Sequence, residues 1–188
     1  MDSSRENYIC RNCVMDTSDQ NIIFDTLGNC DNCNGFFLRN QKAWNDAISG
    51  KRLAELEKLT NKMRLRGKNQ KYDCLVGVSG GPDSSYMLHY MVKNLKLRPL
   101  VFHVDAGWNT KTAVENIKKL TDKLNVELFV KVINWETMRG LQLAFFKSGV
   151  SHIDTPQDRA FFATMYHYAN KHNIKYILNG GNLSTEAV

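Results

Sequence analysis

Residues 73–88, DCLVGVSGGPDSSYML, constrain this chain more than any other stretch. Cys74 to Val78 is a short apolar run closed by a turn signal, which reads as a buried strand. Ser79-Gly80-Gly81-Pro82-Asp83-Ser84-Ser85 follows at once, and Tyr86 to Leu95 reads as a helix. A strand, a tight glycine turn and a helix start together form an anion cradle, because the N–H groups of a first helical turn have no partner inside the helix. Gly80 and Gly81 permit positive φ and let a phosphate approach the backbone where a Cβ would otherwise stand. The loop is not a Walker A loop, since no Gly-Lys-Ser/Thr closes it.

The residues that follow keep alternating between strand and helix patterns. A second buried strand, Leu100 to Val104, ends in Asp105-Ala106-Gly107. A helix comes next, opened by Thr112-x-x-Glu115 read as a capping box and carrying Val114, Ile117, Thr121 and Leu124 on one side. Val126 to Ile133 is the third strand and Trp135 to Lys147 the third helix. Thr155-Pro156-Gln157-Asp158 starts a fourth helix, with Thr155 as N-cap and proline at the first helical position. Ile174 to Leu178 is a fourth strand, followed by Asn179-Gly180-Gly181-Asn182. This alternation predicts an α/β fold with a doubly wound parallel sheet. Ligands of such sheets bind at the carboxyl ends of the strands, at the topological switch point. Three polar clusters fall at strand ends: the 79–85 loop, Asp105, and the 179–186 segment.

With 188 residues the chain has room for one such domain and a small appendage. No run of eighteen apolar residues occurs and MDSSREN lacks an apolar signal region, so no membrane span and a cytoplasmic location are expected. The net charge of +6 suits polyanions such as nucleotides, phosphorylated sugars or RNA without choosing among them. Much of the excess lies between Phe36 and Tyr72, for example Arg39, Lys58, Lys62, Arg64 and Arg66, and is read as a solvated face. Leu53, Leu56, Leu59 and Met63 recur at helical spacing and predict a linker helix.

Four of the five cysteines form two pairs, Cys10-Arg-Asn-Cys13 and Cys30-Asp-Asn-Cys33. Two Cys-x-x-Cys knuckles at this spacing are expected to give four thiolates to one structural zinc ion in a small zinc-ribbon-like module. An iron–sulfur cluster needs the same four thiolates and stays open on spacing alone. Ile22-Ile23-Phe24 and the turn Leu27-Gly28-Asn29 predict a two-strand ribbon dependent on the metal. The expected organisation is therefore a metal module over 1–35, a basic helical linker over 36–71, and a nucleotide-type domain over 72–188.

Within that domain, Ser79, Gly80, Gly81, Asp83, Ser84 and Ser85 are the first candidates for binding a phosphorylated ligand. Asp83 is placed to bind Mg²⁺ directly or through water. Asp105 is a candidate for ordering Mg²⁺ or a nucleotide, with turn capping as the alternative. Asp158 reads as part of a capping box, and its neighbour Arg159 is a candidate for stabilising transition-state charge. Gly180, Asn182 and Glu186 are candidates for completing the site after the fourth strand. His89 and His103 read as satisfied core groups, Phe145-Phe146 and Phe161-Phe162 as packing, and Cys74 as a buried small apolar residue.

The loop Ser79–Ser84 resembles the PP-loop, SGGxDS, of the ATP pyrophosphatases, an adenine nucleotide alpha hydrolase-like fold that splits ATP between the α and β phosphates. More specifically, the opening YICRNCVMDTSD, the IIFD after it, the CDNCNG knuckle, VGVSGGPDSS and the NGGNLSTE end resemble the N-acetyl sugar amidotransferases of lipopolysaccharide O-antigen and flagellar nonulosonate biosynthesis. The resemblance runs from Tyr8 to Glu186. It implies an ATP-, Mg²⁺- and zinc-containing transferase that adenylates the acetamido oxygen of a nucleotide-linked N-acetyl sugar and replaces it with ammonia. It also implies a separate glutaminase subunit and a channelling, cyclase-like subunit, similar to the two halves of imidazole glycerol phosphate synthase. Sheets of the superfamily have a fifth strand, so the domain is expected to be truncated at its C-terminus. The competing resemblance is to zinc-containing tRNA thiolation enzymes, whose sulfur chemistry uses cysteines beyond the loop. This sequence has none after Cys74, and nucleic acid is not expected as a partner.

Overall fold

The computed structural model describes residues 7–181, which divide into two compact units, residues 7–54 with Gly181, and Glu55–Gly180. In the first unit the chain makes two isolated antiparallel bridges, Ile9 with Asp16 and Phe24 with Cys30. The ribbon expected from Ile22-Ile23-Phe24 is thus reduced to single bridges. Aspartates take over the backbone instead: Asp25 Oδ1 accepts from the N–H groups of Leu27 and Asn29 at 2.9 Å, and Asp19 Oδ1 accepts from Asn21 N–H at 2.9 Å. Two helices follow, α1 (Asp31–Arg39) and α2 (Gln41–Ile48). Cys30 is the N-cap of α1, and its sulfur accepts the Cys33 N–H at 3.5 Å.

The helix α3 (Leu53–Arg66) leads into the second unit. Its expected leucine stripe is not what it buries. Leu53 and Leu59 are exposed, while Thr60 and Met63 are 2% exposed. The polar Thr60 fits because its hydroxyl donates to the Glu57 carbonyl at 3.0 Å.

Four parallel strands form the sheet, β1 (Cys74–Gly77), β2 (Pro99–Asp105), β3 (Leu128–Val132) and β4 (Ile177–Leu178), in the order β3-β2-β1-β4. The helices α4 (Pro82–Lys93) and α5 (Lys111–Leu124) connect the first three strands, and α6 (Trp135–Ser148) and α7 (Thr155–Lys171) connect β3 to β4. Side-chain alternation separates the two faces. Cys74, Val76, Val78 and Val101 pack with Met63, Leu88, Met91, Ile117 and Leu124. Leu75, Leu100, Phe102 and Val104 pack with Ala169 and Ile174. The sheet is therefore covered on both faces, as the near-continuous apolar strands require. Strand order reverses at β1, which places the 79–85 loop at the switch point.

Asp73, just before β1, is clamped by Arg98, just before β2. Arg98 Nη2 lies 2.7 Å from Oδ1, and its backbone N–H donates to Oδ2 at 2.9 Å. The same guanidinium donates to the Gly67 carbonyl at 2.6 Å and the Gln70 carbonyl at 3.0 Å. One planar fork thus ties the end of α3 to the entry of both central strands.

Three expected caps shift. The helix expected from Tyr86 begins at Pro82, so Asp83, Ser84 and Ser85 are first-turn residues. α5 is capped by Thr110, whose hydroxyl accepts the Ala113 N–H at 3.2 Å, and not by the Thr112 box. α7 has Asp154 at its N-cap, while the Thr155 hydroxyl donates to the His152 carbonyl at 2.8 Å, so no Thr155–Asp158 box forms. His89, expected in the core, is exposed, because it falls on the outer side of α4 while Leu88 and Met91 face the sheet. Phe146 and Phe162 are likewise exposed, whereas Phe161 packs against the core. No helix among the described residues is long and apolar enough to cross a membrane.

Candidate functional site

The 79–85 loop is shaped by its own serines. Ser79 N–H donates to Ser84 Oγ at 3.2 Å, and the two hydroxyl oxygens are 3.2 Å apart. Gly81 N–H donates to Ser79 Oγ at 3.4 Å, and Ser84 Oγ donates to the Gly81 carbonyl at 3.4 Å. A closed ring of hydrogen bonds thus joins the strand exit to the first turn of α4. Gly81 is the N-cap, with extended backbone and no side-chain cap, which leaves the first-turn N–H groups to whatever anion the loop meets. Gly80 is buried at φ +80°, and a Cβ there would lie 2.5 Å from the Ala113 carbonyl oxygen. Its glycine is therefore demanded by the start of α5 as well as by any ligand. Gly180 comes to the same place, since a Cβ on it would lie 3.5 Å from backbone atoms of Asp83 and Ser84.

A cleft of about 330 Å³ opens beside the loop at the carboxyl ends of β1 and β2. The loop contributes Ser79 and Ser84, β2 and its exit contribute His103, Trp108 and Asn109, and α7 contributes Gln157 and Phe161. A second, shallower space of about 420 Å³ lies on the other side of the loop, against Gly81, Ser85, Asn116, Lys119 and Lys123. The loop therefore faces an apolar-walled cleft on one side and two lysines on the other.

Of the candidates read from sequence, Ser79, Gly80, Gly81, Asp83, Ser84, Ser85 and Gly180 come together. Asp105 stands at the end of β2, and its Oδ1 accepts the Gly107 N–H at 2.9 Å, which is the turn-capping role. Arg159 and Asp158 are exposed on α7 and do not line the cleft; Gln157, one position earlier, does. Asn182 and Glu186 lie outside the described residues. His103, read as a core group, is indeed buried but also lines the cleft, hydrogen-bonded through Nδ1 to the Val78 carbonyl at 2.8 Å. Trp108, Asn109 and Gln157 were not singled out from sequence, and Phe161, read as packing, does pack on the core but also lines the cleft. The switch-point rule pointed to the exit of β2, and following it past Asp105 reaches Trp108 and Asn109.

In the first unit the four cysteine sulfurs lie within 4.8 Å of one another. Cys10 Sγ is 3.9 Å from Cys33 Sγ, and Cys13 Sγ is 3.6 Å from Cys30 Sγ. A tetrahedral zinc ion with sulfur ligands at about 2.3 Å implies sulfur separations of about 3.8 Å. The four thiols thus fit one ion, and a multi-iron cluster would hold its thiolates further apart. N–H groups already point at the sulfurs, from Cys30 and Asn12 to Cys10 at 3.2 and 3.4 Å, and from the Asn12 side chain to Cys33 at 3.3 Å. The Cys10 thiol is pulled down to about 6: burial pushes it up, but N–H donation from Asn12, Cys30 and Cys13 outweighs that. With all four positions filled by protein, an ion held there is structural. Cys74, by contrast, sits fully buried in β1, and burial, reinforced by the Asp73 charge, pushes its thiol up to about 12.

Residues 73–155 match the family model described as a phosphoadenosine phosphosulfate reductase domain. An uncharacterized protein of Methanocaldococcus jannaschii is 25% identical over 122 residues, which is 63% of this chain and 42% of that protein. Among solved structures, NMN synthetase from Francisella tularensis superposes with a TM-score of 0.51 at 22% identity, over 66% of this chain and 52% of the other. Glutamine-dependent NAD⁺ synthetase from Acinetobacter baumannii, in complex with ADP, superposes with a TM-score of 0.53 at 20% identity, over 70% of this chain and 26% of the other. The chain thus spans about half or less of the length of these three relatives. The match over residues 73–155 and the SGGPDS loop at the switch point support a PP-loop-type domain in that stretch, and the solved structures share its doubly wound parallel fold.

Proposed function

We propose that the chain is the ATP-pyrophosphatase part of an N-acetyl sugar amidotransferase. The Ser79–Ser84 ring at the N-terminus of α4, opening beside a cleft of about 330 Å³, carries the nucleotide part of this reading, and the resemblance of the CRNC and CDNC knuckles, the SGGPDS loop and the NGGNLSTE end supports the sugar amidotransferase part. The ADP held by the NAD⁺ synthetase relative supports an adenine nucleotide as its occupant. In the proposed reaction the acetamido oxygen attacks the α-phosphorus of ATP and pyrophosphate leaves, giving an O-adenylyl imidate with loss of the amide proton. Ammonia then adds to the imidate carbon and AMP departs with the original oxygen, leaving an acetamidino group. Ser79, Ser84, Ser85 and the first-turn N–H groups of α4 hold the leaving pyrophosphate, and Asp83 in the same turn would hold a Mg²⁺ ion, whose charge would offset that of the phosphates.

Ammonia is supplied by a separate glutaminase. Cys74, the lone cysteine of the second unit, is buried and firmly protonated, so it serves neither as a glutaminase nucleophile nor as a persulfide carrier. That observation weighs against the tRNA thiolation reading. Turnover of ATP by the full protein with ammonium, against a panel of UDP-N-acetyl sugars and bulk tRNA, tests the proposal. Mass spectrometry is expected to show AMP and a sugar about 1 Da lighter, oxygen having been replaced by NH, with Asp83→Ala abolishing both. AMP formed only with tRNA would replace this reading by RNA modification.

A further inference from the structure

The cleft contains a chain of hydrogen bonds whose direction is dictated by its buried end. Val78 is buried, and its carbonyl can only accept. The bond from His103 Nδ1 at 2.8 Å therefore places a proton on Nδ1. In a neutral imidazole that leaves Nε2 as an acceptor, and Nε2 lies 2.9 Å from Asn109 Nδ2. Asn109 must then donate through its amino group to His103. Its carbonyl Oδ1 is what remains for the cleft that the residue lines. A carbonyl just past the carboxyl end of β1 thus sets, two hydrogen bonds away, the polarity that an exposed side chain offers to a ligand.

We infer that the His103–Asn109 pair makes the cleft select an occupant that donates an N–H at Asn109, with Asn109 the specificity-determining residue and His103 the residue that positions its amide. The inference rests on the reading that the cleft takes a nucleotide with its phosphates at the Ser79–Ser84 loop. On that reading the donor is the exocyclic amine of adenine, lying beyond the loop among Trp108, Phe161 and Asn109. A hypoxanthine base presents a carbonyl oxygen at the same position and meets Oδ1 acceptor to acceptor. Discrimination against it comes from an unmade hydrogen bond and two opposed oxygens, which corresponds to about tenfold in affinity.

The test is binding of ATP and ITP, each with Mg²⁺, to the full protein and to Asn109→Ala and His103→Phe. The unsubstituted protein is expected to prefer ATP by about tenfold. Asn109→Ala removes the acceptor from an exposed position and should bring the ratio close to one by weakening ATP. His103→Phe keeps a ring but releases the Asn109 amide, which can then turn its amino group toward the base, so the ratio should fall through tighter ITP binding. Imidazole ¹⁵N chemical shifts of the unsubstituted protein should show the Nδ1–H tautomer, a readout independent of how either variant folds. Equal binding of ATP and ITP, an unchanged ratio in Asn109→Ala, or an Nε2–H tautomer would each overturn the inference and leave the nucleotide reading standing. Binding of neither nucleotide would remove the nucleotide reading and this inference with it.

Discussion

Ser84 lies in the first turn of α4, and its hydroxyl meets Ser79 N, Ser79 Oγ and the Gly81 carbonyl between 3.2 and 3.4 Å. Each contact is weak by itself, but together they hold an exposed loop in one shape, which spares a ligand part of the cost of ordering it. Ser84→Ala is expected to weaken binding of Mg²⁺-pyrophosphate by about tenfold while moving the thermal midpoint little, because the residue is only half-buried. Calorimetric titration with pyrophosphate measures the first effect and a thermal melt the second. These serines were legible in the sequence because a loop motif specifies residue types at fixed offsets. His103 was not, since a histidine inside an apolar strand reads as core, and only its contact to Asn109 six residues later shows the second side it presents. Asp105 was legible as a residue at the right strand end. Its turn-capping bond to Gly107 is local geometry that spacing does not distinguish from metal binding.

At the scale of elements, α7 ends beside an aromatic group on the face of the sheet away from α4. The His172 ring packs at 5.5 Å from Tyr72, 5.6 Å from Phe129 and 6.4 Å from Tyr168, and its buried Nε2 has no hydrogen-bond partner among the described residues. Burial, helped by the Lys171 and Lys71 charges and opposed by Glu127, holds its pKa below the ordinary 6.5. The native state thus takes up a proton later than the unfolded chain as pH falls. The associated stability is present above pH 6.5 and is lost as pH drops toward the depressed native value. Glu127, held below the usual carboxylate range chiefly by Lys71 and then by Tyr72, adds no titration in that window. Denaturant midpoints at about pH 7.5 and about pH 5.5 are expected to differ in the unsubstituted protein and to converge in His172→Phe. An undiminished pH dependence in the variant would count against the buried neutral ring. The elements themselves were largely readable, because strands buried on both faces are apolar runs and the helices between them are long. What escaped was tertiary: Thr60 is preferred to Leu59 at the buried face of α3, and the cap of α5 falls on Thr110 rather than Thr112. Propensity ranks both threonines alike, and only the direction of the chain leaving β2 decides between them.

Across the whole molecule, two units with different physics share one chain. The second has a sheet covered on both faces, whereas the buried cluster of the first is Ile22 with Cys10, Cys30 and Cys33. So small a core is expected to lean on its ion, whose binding contributes on the order of 10 kcal/mol to folding. Metal analysis should find one zinc per chain. Chelation, or Cys30→Ser, should remove the metal and the protease resistance of residues 7–54 while leaving a melting transition for Glu55–Gly180; retained resistance without metal would contradict this. The cysteine spacing announced the module, and the parallel sheet followed from alternation. Substrate choice was not legible in the same way, because it depends on side chains from β2 and α7 that meet only in the fold. The most direct test of the proposed chemistry follows one oxygen atom: UDP-N-acetyl sugar carrying ¹⁸O in its acetamido carbonyl, ATP, Mg²⁺ and ammonium are incubated with the full protein and the products resolved by ³¹P NMR and mass spectrometry. Adenylation of the amide oxygen predicts AMP and pyrophosphate, with ¹⁸O in the AMP phosphate. Formation of ADP and phosphate, or AMP without the label, would contradict it.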